Sequence, residues 1–458
     1  MSKRKKSRSK SKANPFSGLP PLNLNAAGID VGNAEHWVAV PADRDQKPVR
    51  KFESFTADLH RMADWLQACG IDSVVMESTG VYWIPLYQVL EARGMEVKLV
   101  NARHVKCLPG RKSDIQDCQW LQKLHTFGLL NNSFRPTDEI CILRSYLRQR
   151  ESMISAASTC IQHMQKALTE MNVQLANVIS DISGLTGLSI IRSILQGERN
   201  PQKLAELRDP RIKASKQEIA KSLEGNWRDE LLFVLRQSLE LYEVYQNKIA
   251  DCDRKIEAHL RTFDGKVDPI CHPLAPPKRG KKAHSNAPAF DLRTELYRVS
   301  GTDLTRIDGI DVSNAQAIIS EIGLDMSRWP TEGNFASWLG LSPDHRITGG
   351  KIIKRGTRHV VNRAADALRL AAQSLLKSRT ALGANFRRLR AHLGPPKAIT
   401  AMAHKLARLV YRMLKYGQQY VDKGMQHYEE RFRQQRMRWL EKQAKELNLQ
   451  LVPVHLTS

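Results

Sequence analysis

The chain has 458 residues, a formal net charge of +24 at pH 7 and a pI near 9.8. This length allows two or three domains, and the charge indicates a polyanionic partner, nucleic acid before an anionic membrane surface. No apolar run approaches the roughly 20 residues that a membrane span needs, and no apolar core follows the basic N-terminus as in a secretory signal. We therefore expect a cytoplasmic protein that binds nucleic acid.

The cysteines indicate the same compartment. They are scattered and lack CxxC spacing, which fits a reducing cytosol and gives no zinc site. Cys118, beside Asp117, has no local histidine partner, so we expect a buried small side chain rather than a nucleophile.

Residues 1–21 are predicted to be a disordered basic tail. They consist largely of lysine, arginine, serine and proline, with almost nothing apolar. Such a segment cannot bury enough apolar surface to fold by itself, and its charge adds nonspecific affinity for phosphates.

Residues 22–137 are predicted to form an α/β domain, because short apolar strand patterns alternate with helical spacing. Asp30 interrupts the apolar run of the first strand, and a later strand ends at Glu77 before a glycine turn. A charge inside an apolar strand is costly unless something pairs with it. Asp114 and Asp117 lie three residues apart at the head of a predicted helix, so their carboxylates share one face.

Four carboxylates on strand ends and a helix face suit hard divalent cations. Mg²⁺ prefers oxygen ligands, and two such ions roughly 4 Å apart can hold the attacking and leaving oxygens of a phosphoryl transfer. Each acid alone could be a surface or helix-start charge, above all Asp114 after Ser113. Their common placement favours a shared two-ion Mg²⁺ site, with Arg111 and Lys112 beside it as nucleic-acid-binding cations.

Residues 138–261 are predicted to be helical throughout. Two long helices, from Asp138 to about Ala176 and from about Arg228 to His259, carry apolar positions three and four residues apart. The second seam keeps heptad spacing but is broken by Gln246 and Asp253. The pair predicts an antiparallel coiled-coil arm or a dimer contact, and ordinary packing helices remain the alternative.

Residues 262–290 are rich in proline, glycine, lysine and histidine and are predicted to be a flexible basic linker and a domain boundary. The mostly helical residues 291–425 follow. Their first part has the pattern helix, glycine turn, helix, as in a helix-hairpin-helix, and the amides around Gly309 could bind a phosphate. The usual second glycine is Asp311 here, an acid close to where that phosphate would lie.

A tight loop follows, in which Thr348 precedes two glycines and Lys351. A hydroxyl, two glycines and a lysine can approach a phosphate closely, although the motif matches no Walker loop and follows no clear strand. With this net charge, the cations on the neighbouring helical faces also favour phosphate contact. Residues 426–458 are predicted to be a peripheral helix and tail. The candidate nucleic-acid-binding residues of the C-terminal half are Gly309, Arg346, Lys351, Arg363, Arg387, Arg388, Lys405 and Arg408.

These motifs together resemble one transposase family. The segments around Asp30, around Glu77 and from Arg111 to Asp117 are similar to the Asp-Glu-Asp-Asp signature of the insertion sequence 110 family, whose members resemble the Holliday-junction resolvase RuvC in this domain. The segments Trp338 to Lys351, Asn362 to Ala365 and Ala403 to Ala407 are similar to its C-terminal transposase domain. The fuller match is to the 1111 subgroup and covers nearly everything from Asp30 to about Tyr420.

The resemblance implies a fold of α/β plus α. The N-terminal domain would be RNase H-like (RuvC-like), the middle a helical coiled coil, and the C-terminal transposase domain mostly helical with a helix-hairpin-helix. It also implies a bacterial, nucleoid-associated enzyme that acts on the DNA of element ends and target. A structured bridge RNA would choose these sites by base pairing, and a homo-oligomer, dimer or tetramer, would assemble on them.

In the implied reaction, Asp30, Glu77, Asp114 and Asp117 hold Mg²⁺ while a C-terminal hydroxyl attacks the phosphate and links protein to DNA. The family places a serine before the Gly-Gly-Lys loop, where this chain has Thr348, so Ser342 is a second candidate nucleophile. Two other functions stay open. One is a metal-dependent junction endonuclease that uses water, and the other is a non-enzymatic architectural DNA binder.

Overall fold

The computed structural model describes residues 18–78, 80–101, 113–277, 286–354, 356–358, 360–417, 424–450 and 452. The chain divides into two compact units, Met1–Arg135 and Pro136–Ser458, here called the N-terminal and C-terminal units. Arg111, Lys112 and most of the predicted tail 1–21 lie outside the described residues. No helix in the described ranges is both long enough and apolar enough to cross a membrane.

A mixed sheet forms the centre of the N-terminal unit. In the described residues it has five strands in the order β3-β2-β1-β4-β5, in which β1 to β3 are antiparallel and β1, β4 and β5 are parallel. This order is consistent with the predicted RNase H-like domain. The strands are β1 Ala26–Val31, β2 Glu35–Ala39, β3 Val49–Glu53, β4 Ser73–Glu77 and β5 Glu96–Val100.

Helices cover both faces of this sheet. On one face, α1 (Thr56–Ala68) and α2 (Trp83–Ala92) bury the larger apolar core against alternate strand residues. On the other face, α3 (Asp114–Thr126) packs through Leu121 against the remaining strand residues. The predicted α/β character of this unit is confirmed, although β3 and α1 were not predicted.

The position of α3 is fixed at two places. A Cβ atom on Gly28 of β1 would lie 2.3 Å from the Gln122 amide nitrogen and 2.5 Å from the Cys118 carbonyl oxygen. The backbones of strand and helix therefore touch, and only glycine allows this approach. Near the end of the helix, buried His125 lies with its Nε2 2.7 Å from Ser73 Oγ of β4.

The C-terminal unit is mostly helical, as predicted. Its longest helices, α4 (Asp138–Glu170) and α8 (Asp229–Arg261), pack against each other along their lengths. His259, near the end of α8, lies 2.8 Å from the carbonyl oxygen of Glu139, at the start of α4. The two helices are therefore antiparallel neighbours. Between them lie α5 (Leu185–Leu195), α6 (Pro201–Glu206) and α7 (Lys216–Ser222).

Asp253, which interrupts the apolar seam of α8, forms a buried ion pair. Its carboxylate accepts two hydrogen bonds from Arg150 of α4, at 2.5 and 3.3 Å, and both side chains are buried. Arg150 also donates to the carbonyl of Asn286 at 2.9 Å, and Asp253 accepts from the amide of Ala289 at 3.2 Å. The described end of the predicted linker 262–290 is thus attached to the helix pair.

Contacts also join α4 to the helices that follow. The Arg144 guanidinium donates to the carbonyls of Ser320 and Glu321 at 2.7 and 2.5 Å, at the end of α10. These bonds satisfy C-terminal carbonyls of that helix and explain why the long pair and the C-terminal region form one unit. The remaining helices are α9 Leu292–Ser300, α10 Val312–Ile322, α11 Glu332–Trp338, α12 Arg363–Ser374, α13 Ala381–Leu393, α14 Pro395–Tyr416 and α15 Gly424–Glu446.

A small hairpin stands between α11 and α12. It consists of β6 (Arg346–Thr348) and β7 (Lys351–Lys354), joined by Gly349 and Gly350. The expectation that this loop follows no clear strand was wrong. A strand of three residues is too short to produce a period of two in the sequence.

The buried His125 predicts a pH dependence of stability. Burial first, and Lys98 second, lower the pKa of His125 to about 4 from an ordinary 6.5. The unfolded chain binds the proton more readily than the folded one, so the stabilisation is complete above pH 6.5 and is lost as the pH falls towards 4. We expect a loss of up to about 1.4 kcal/mol per pH unit in this range.

Urea unfolding of the full chain at pH 7 and pH 5 measures this dependence. His125→Gln should reduce the pH slope, while His60→Gln, at an exposed position, should leave it unchanged. Part of the slope should remain in His125→Gln, because burial also lowers the pKa of His36. An identical slope in His125→Gln and the unmodified chain would contradict the assignment.

Candidate active site and nucleic-acid contacts

Two of the predicted carboxylates stand side by side at the edge of the sheet. The parallel pairing of β1 with β4 runs to Ile29 and Met76, so Asp30 and Glu77 come next in register. Ile29 and Met76 belong to the core under α1 and α2. Because successive strand residues point to opposite faces, Asp30 and Glu77 face α3.

The other two carboxylates lie in the first turn of that helix. Ser113 is the N-cap, and its Oγ accepts a hydrogen bond from the Gln116 amide at 3.4 Å. Asp114 is exposed and Asp117 is half-buried. The sheet edge and the helix start thus present all four acids on one face of the N-terminal unit.

Cys118 shows how near two of these acids are to each other. Burial first, and the carboxylate of Asp30 second, raise the pKa of this thiol to about 12, with a smaller effect from Asp117. Both carboxylates therefore act on the same buried sulfur. A thiol with so high a pKa is not a nucleophile at neutral pH. Cys118 is also fully buried, which confirms the predicted buried small side chain.

The donor chemistry of this face suits a hard cation. The four side chains offer only carboxylate oxygens, which Mg²⁺ and similar ions prefer. Glu77, the last residue of β4, is 9% exposed. Within the described ranges, however, no three His, Cys, Asp or Glu side chains form a group that could hold an ion. The structure brings the acids to one face without closing a three-residue cluster.

The candidate nucleophile lies at the tip of the hairpin. Gly349 and Gly350 have φ values of +55° and +74°, as a type I′ turn requires. Thr348 and Lys351 are paired directly across the turn, so their side chains lie on the same face. Both are exposed, whereas Ser342 is half-buried before the base of the hairpin, where Pro343 pairs with Thr357.

The predicted helix-hairpin-helix contains a short 3₁₀ turn, Leu304–Arg306, followed by Gly309 and then α10. Gly309 has a φ of +93°, and an added Cβ would lie 2.5 Å from the Ala371 carbonyl oxygen. Asp311 is the N-cap of α10, and its Oδ1 accepts from the Asn314 amide at 2.8 Å. The Asp311 carboxylate therefore already accepts a hydrogen bond from one of the backbone amides that a phosphate would need.

Several of the predicted cations have partners within the protein. Arg363 pairs with Glu151, and Arg408 pairs with Glu332, which also holds Arg412. The Arg363–Glu151 pair is exposed and can open for a phosphate at small cost, because exposed ion pairs are worth about 0–1 kcal/mol. Glu332 is half-buried, and it would keep Arg412 as a partner if Arg408 turned towards a phosphate.

Other predicted cations are held more firmly. Arg387 donates to the carbonyl of Ser378 at 2.5 Å and to that of Leu376 at 3.3 Å. Arg388 lies 3.4 Å from the ring centroid of Phe432. Burial lowers the pKa of Lys405, with further contributions from Arg431 and Arg408. The side chain of Arg346 is not among the described features, but its backbone begins β6.

Sequence reasoning missed the residues that position the acids. Gly28 was not singled out within the apolar run around Asp30, and neither Ser73 nor His125 was considered. A glycine in the centre of a strand is a recognised sign of close backbone approach. That signal could have identified Gly28, but not its partner, since Cys118 and Gln122 lie about 90 residues further along the chain.

Two family models match the chain. One is the DEDD transposase model of the IS110 type, described as a transposase, which matches residues 27–173. The other is described as the transposase IS116/IS110/IS902 family and matches residues 301–387. A search of curated proteins found no match. The first match contains Asp30, Glu77, Asp114 and Asp117, and the second contains Thr348 and Lys351.

The fold and these matches define a DNA transposase/recombinase. Both of its matched segments, which together span about half of the chain, are transposase domains of the IS110 family. A DEDD domain of this type depends on divalent metal ions. The carboxylates of the matched domain are therefore the candidate metal ligands.

Gly28→Ala should disturb both stability and catalysis. The new methyl group would overlap the backbone of α3, which must shift and carry the acids of its first turn with it. We expect a loss of stability of about 1–3 kcal/mol and strongly reduced DNA cleavage. Gly333→Ala is the matched control, because an added Cβ there has its nearest neighbour at 3.6 Å. Unchanged unfolding and cleavage in Gly28→Ala would contradict the close packing.

Proposed function

We propose that this transposase excises and inserts its own mobile element by Mg²⁺-dependent strand cleavage and exchange, through a covalent protein–DNA intermediate. The observation that carries the proposal is the placement of Asp30 and Glu77 at neighbouring strand ends, facing the first turn of α3. The sheet order supports an RNase H-like domain of the RuvC type. The carboxylate order and the hairpin motif support the 1111 subgroup of the family.

In this proposal, Asp30, Glu77, Asp114 and Asp117 form one metal site for two Mg²⁺ ions. When bound, the metal would polarise the scissile phosphate and stabilise the charge on its oxygens. The protein contributes a rigid pair of acids on the sheet and a second pair at the helix start. The positive end of the α3 dipole also favours anionic groups at this place.

We assign the nucleophile to Thr348. Its Oγ1 would form a bond to phosphorus, the bond from phosphorus to one strand oxygen would break, and that oxygen would take up a proton. The hydroxyl proton of Thr348 would pass to a base or water. Exposure at the hairpin tip and the neighbouring Lys351 favour Thr348, whereas Ser342 is half-buried. The extra methyl group of threonine stiffens χ1 and should slow the attack relative to serine.

The basic residues of the C-terminal unit would position DNA by phosphate contact. Lys351 and Arg346 of the hairpin lie closest in sequence to the nucleophile, and Arg363 and Arg408 would follow once their acidic partners release them. Lys405, Arg387, Arg388 and Gly309 have structural contacts that compete with this role. Arg111 and Lys112 are assigned to the same function by their place next to α3. Such contacts position a nucleic acid but do not read its sequence.

Sequence choice would therefore come from a structured bridge RNA that pairs with element ends and target. The acids and the hairpin lie in different compact units. One protomer's acids could therefore meet another's hairpin, which supports a dimer or tetramer. We place the assembly on the bacterial nucleoid in the cytoplasm.

A metal-dependent junction endonuclease that uses water is the second candidate. It is favoured by the completeness of the carboxylate set within the N-terminal unit, which needs no residue from the hairpin. It would leave free DNA ends instead of a protein adduct. The transposase matches go against the third alternative, a non-enzymatic architectural DNA binder.

The four carboxylates should be individually essential for cleavage. Asp30→Asn, Glu77→Gln, Asp114→Asn and Asp117→Asn each remove an anionic metal ligand, so DNA cleavage in Mg²⁺ should fall by about 100-fold or more. Folding and DNA binding should be largely retained. Asp43→Asn, at an exposed carboxylate of the same unit, is the control. Full activity in any one of the four variants would remove that residue from the site.

The nucleophile can be identified by trapping the reaction on a labelled DNA end. Thr348→Ser should keep or increase a protein–DNA adduct that survives denaturation, because serine has a similar hydroxyl without the methyl group. Thr348→Ala should lose the adduct while Ser342→Ala keeps it. The opposite pattern would move the nucleophile to Ser342, and free ends without any adduct would favour the endonuclease.

The purified transposase should carry RNA and assemble at least as a dimer. Mass photometry before and after ribonuclease treatment, together with sequencing of the bound RNA, measures both properties. A ribonuclease-treated, strictly monomeric preparation that still recombines DNA would be inconsistent with RNA guidance and with an oligomeric site.

A further inference from the structure

The C-terminal helix α15 lies outside both matched family segments. Its first part is fixed on α13. The ring centroid of Phe432 lies 3.4 Å from the Arg388 guanidinium carbon, and Tyr428 donates a hydrogen bond to Asn385 at 3.1 Å. The Lys405 ammonium of α14 lies 6.0 Å from the Tyr428 ring centroid. These contacts fix the direction in which the helix continues.

Beyond Phe432 the helix leaves this surface. Residues 433–439 are all exposed, so this stretch is surrounded by solvent on every side. It contains two large apolar side chains in the open, Trp439 at 58% and Met437 at 47% exposure. At this exposure the Trp439 ring contributes little to the core, and its face is available to a ligand.

The charge of this stretch is strongly one-sided. From position 431 to position 446, acids occur only at Glu441 and Glu446, and cations occur at Arg431, Arg433, Arg436, Arg438, Lys442 and Lys445. In the described part of the chain, Arg433, Arg436 and Arg438 form no ion pair, in contrast to Arg363 and Arg408. These arginines can therefore reach a phosphate without breaking an internal contact.

The spacing places the aromatic and basic side chains together. Tyr428, Phe432 and Trp439 differ by four and seven residues, so they lie along one face of the helix. The first two rings cover cations of the protein itself, and the third is exposed to solvent. Arg436 and Lys442, three residues before and after Trp439, lie on either side of its ring.

We propose that α15 binds a single-stranded stretch of nucleic acid, with Trp439 as a base-stacking platform and Arg436, Arg438 and Lys442 as phosphate contacts. Aromatic rings flanked by cations bind single strands without sequence preference, because every base has a π-face and every nucleotide a phosphate. A second copy of this helix fits less well, since it would bring the same excess of positive charge. The proposal goes beyond the proposed reaction and does not depend on its metal or nucleophile.

Fluorescence anisotropy with the full chain tests the proposal. The probes are labelled oligonucleotides of about 12 nucleotides, one of single-stranded RNA, one of single-stranded DNA and one of duplex DNA. Trp439→Ala should weaken single-strand binding by about 5- to 100-fold, while Trp439→Phe keeps most of the affinity. Phe233→Ala, at an aromatic residue of α8 that is 63% exposed, is the matched control and should have no effect.

The phosphate contacts of the basic residues are tested by the salt dependence of the binding affinity. Arg436→Gln combined with Arg438→Gln should lower the slope of log affinity against log salt by about 1.4, since each phosphate contact on a single strand contributes about 0.7. A larger effect with RNA than with DNA, or the reverse, identifies the natural ligand.

Three results would overturn the proposal. The first is unchanged single-strand affinity in Trp439→Ala, and the second is an equal loss on duplex DNA. The third is a change of oligomeric state in Trp439→Ala with unaltered single-strand affinity, which would assign the tryptophan to a contact between copies.

Discussion

The direct contact of α3 with the backbone of β1 at Gly28 is the constraint on which the candidate active site depends. No side chain separates the two elements there, so the helix lies as close to the sheet as a backbone allows. His125 and Ser73 fix its other end. Because the helix is fixed at Gly28 and at Ser73, its first turn must face the end of β1. Asp114 and Asp117 therefore share a face with Asp30 and Glu77, although they are far apart in sequence.

The N-terminal unit shows how far the sequence predicts such a site. Apolar runs that end in Asp30 and Glu77 give the strands and their acids, because a buried strand has a clear local pattern. The edge strand β3 was missed because all five of its residues are exposed or half-exposed and carry no such pattern. Helix α1 was missed although Leu59, Met62 and Leu66 have helical spacing, so that signal was available.

Long-range pairing explains most of what the sequence could not show. Asp253 breaks the apolar seam of its helix and looks like an interruption, but it forms a buried ion pair with Arg150, 103 residues earlier. Breaking one half of such a pair is costly, because the other charge stays buried. The same pair attaches the segment around Asn286 and Ala289 to the helices. A composition typical of linkers does not reveal an attachment of this kind.

The basic charge of the chain is also divided in a way that composition does not show. Some cations hold carbonyls or stack on rings, as Arg387 and Arg388 do, and others pair with acids. The exposed arginines of α15 and Lys351 at the hairpin tip have no such partner among the described residues. A net charge of +24 predicts a nucleic-acid partner, but the structure indicates which cations are available to meet it.

We propose that the acids of the sheet and of α3 form one metal site. Crystals of the full chain grown with Mn²⁺ in place of Mg²⁺ would test it most directly, through the anomalous difference map at the manganese edge. We expect anomalous peaks bounded by the carboxylates of Asp30, Glu77, Asp114 and Asp117. A map with its peak elsewhere, or with no peak at a Mn²⁺ concentration that supports DNA cleavage, would contradict the account.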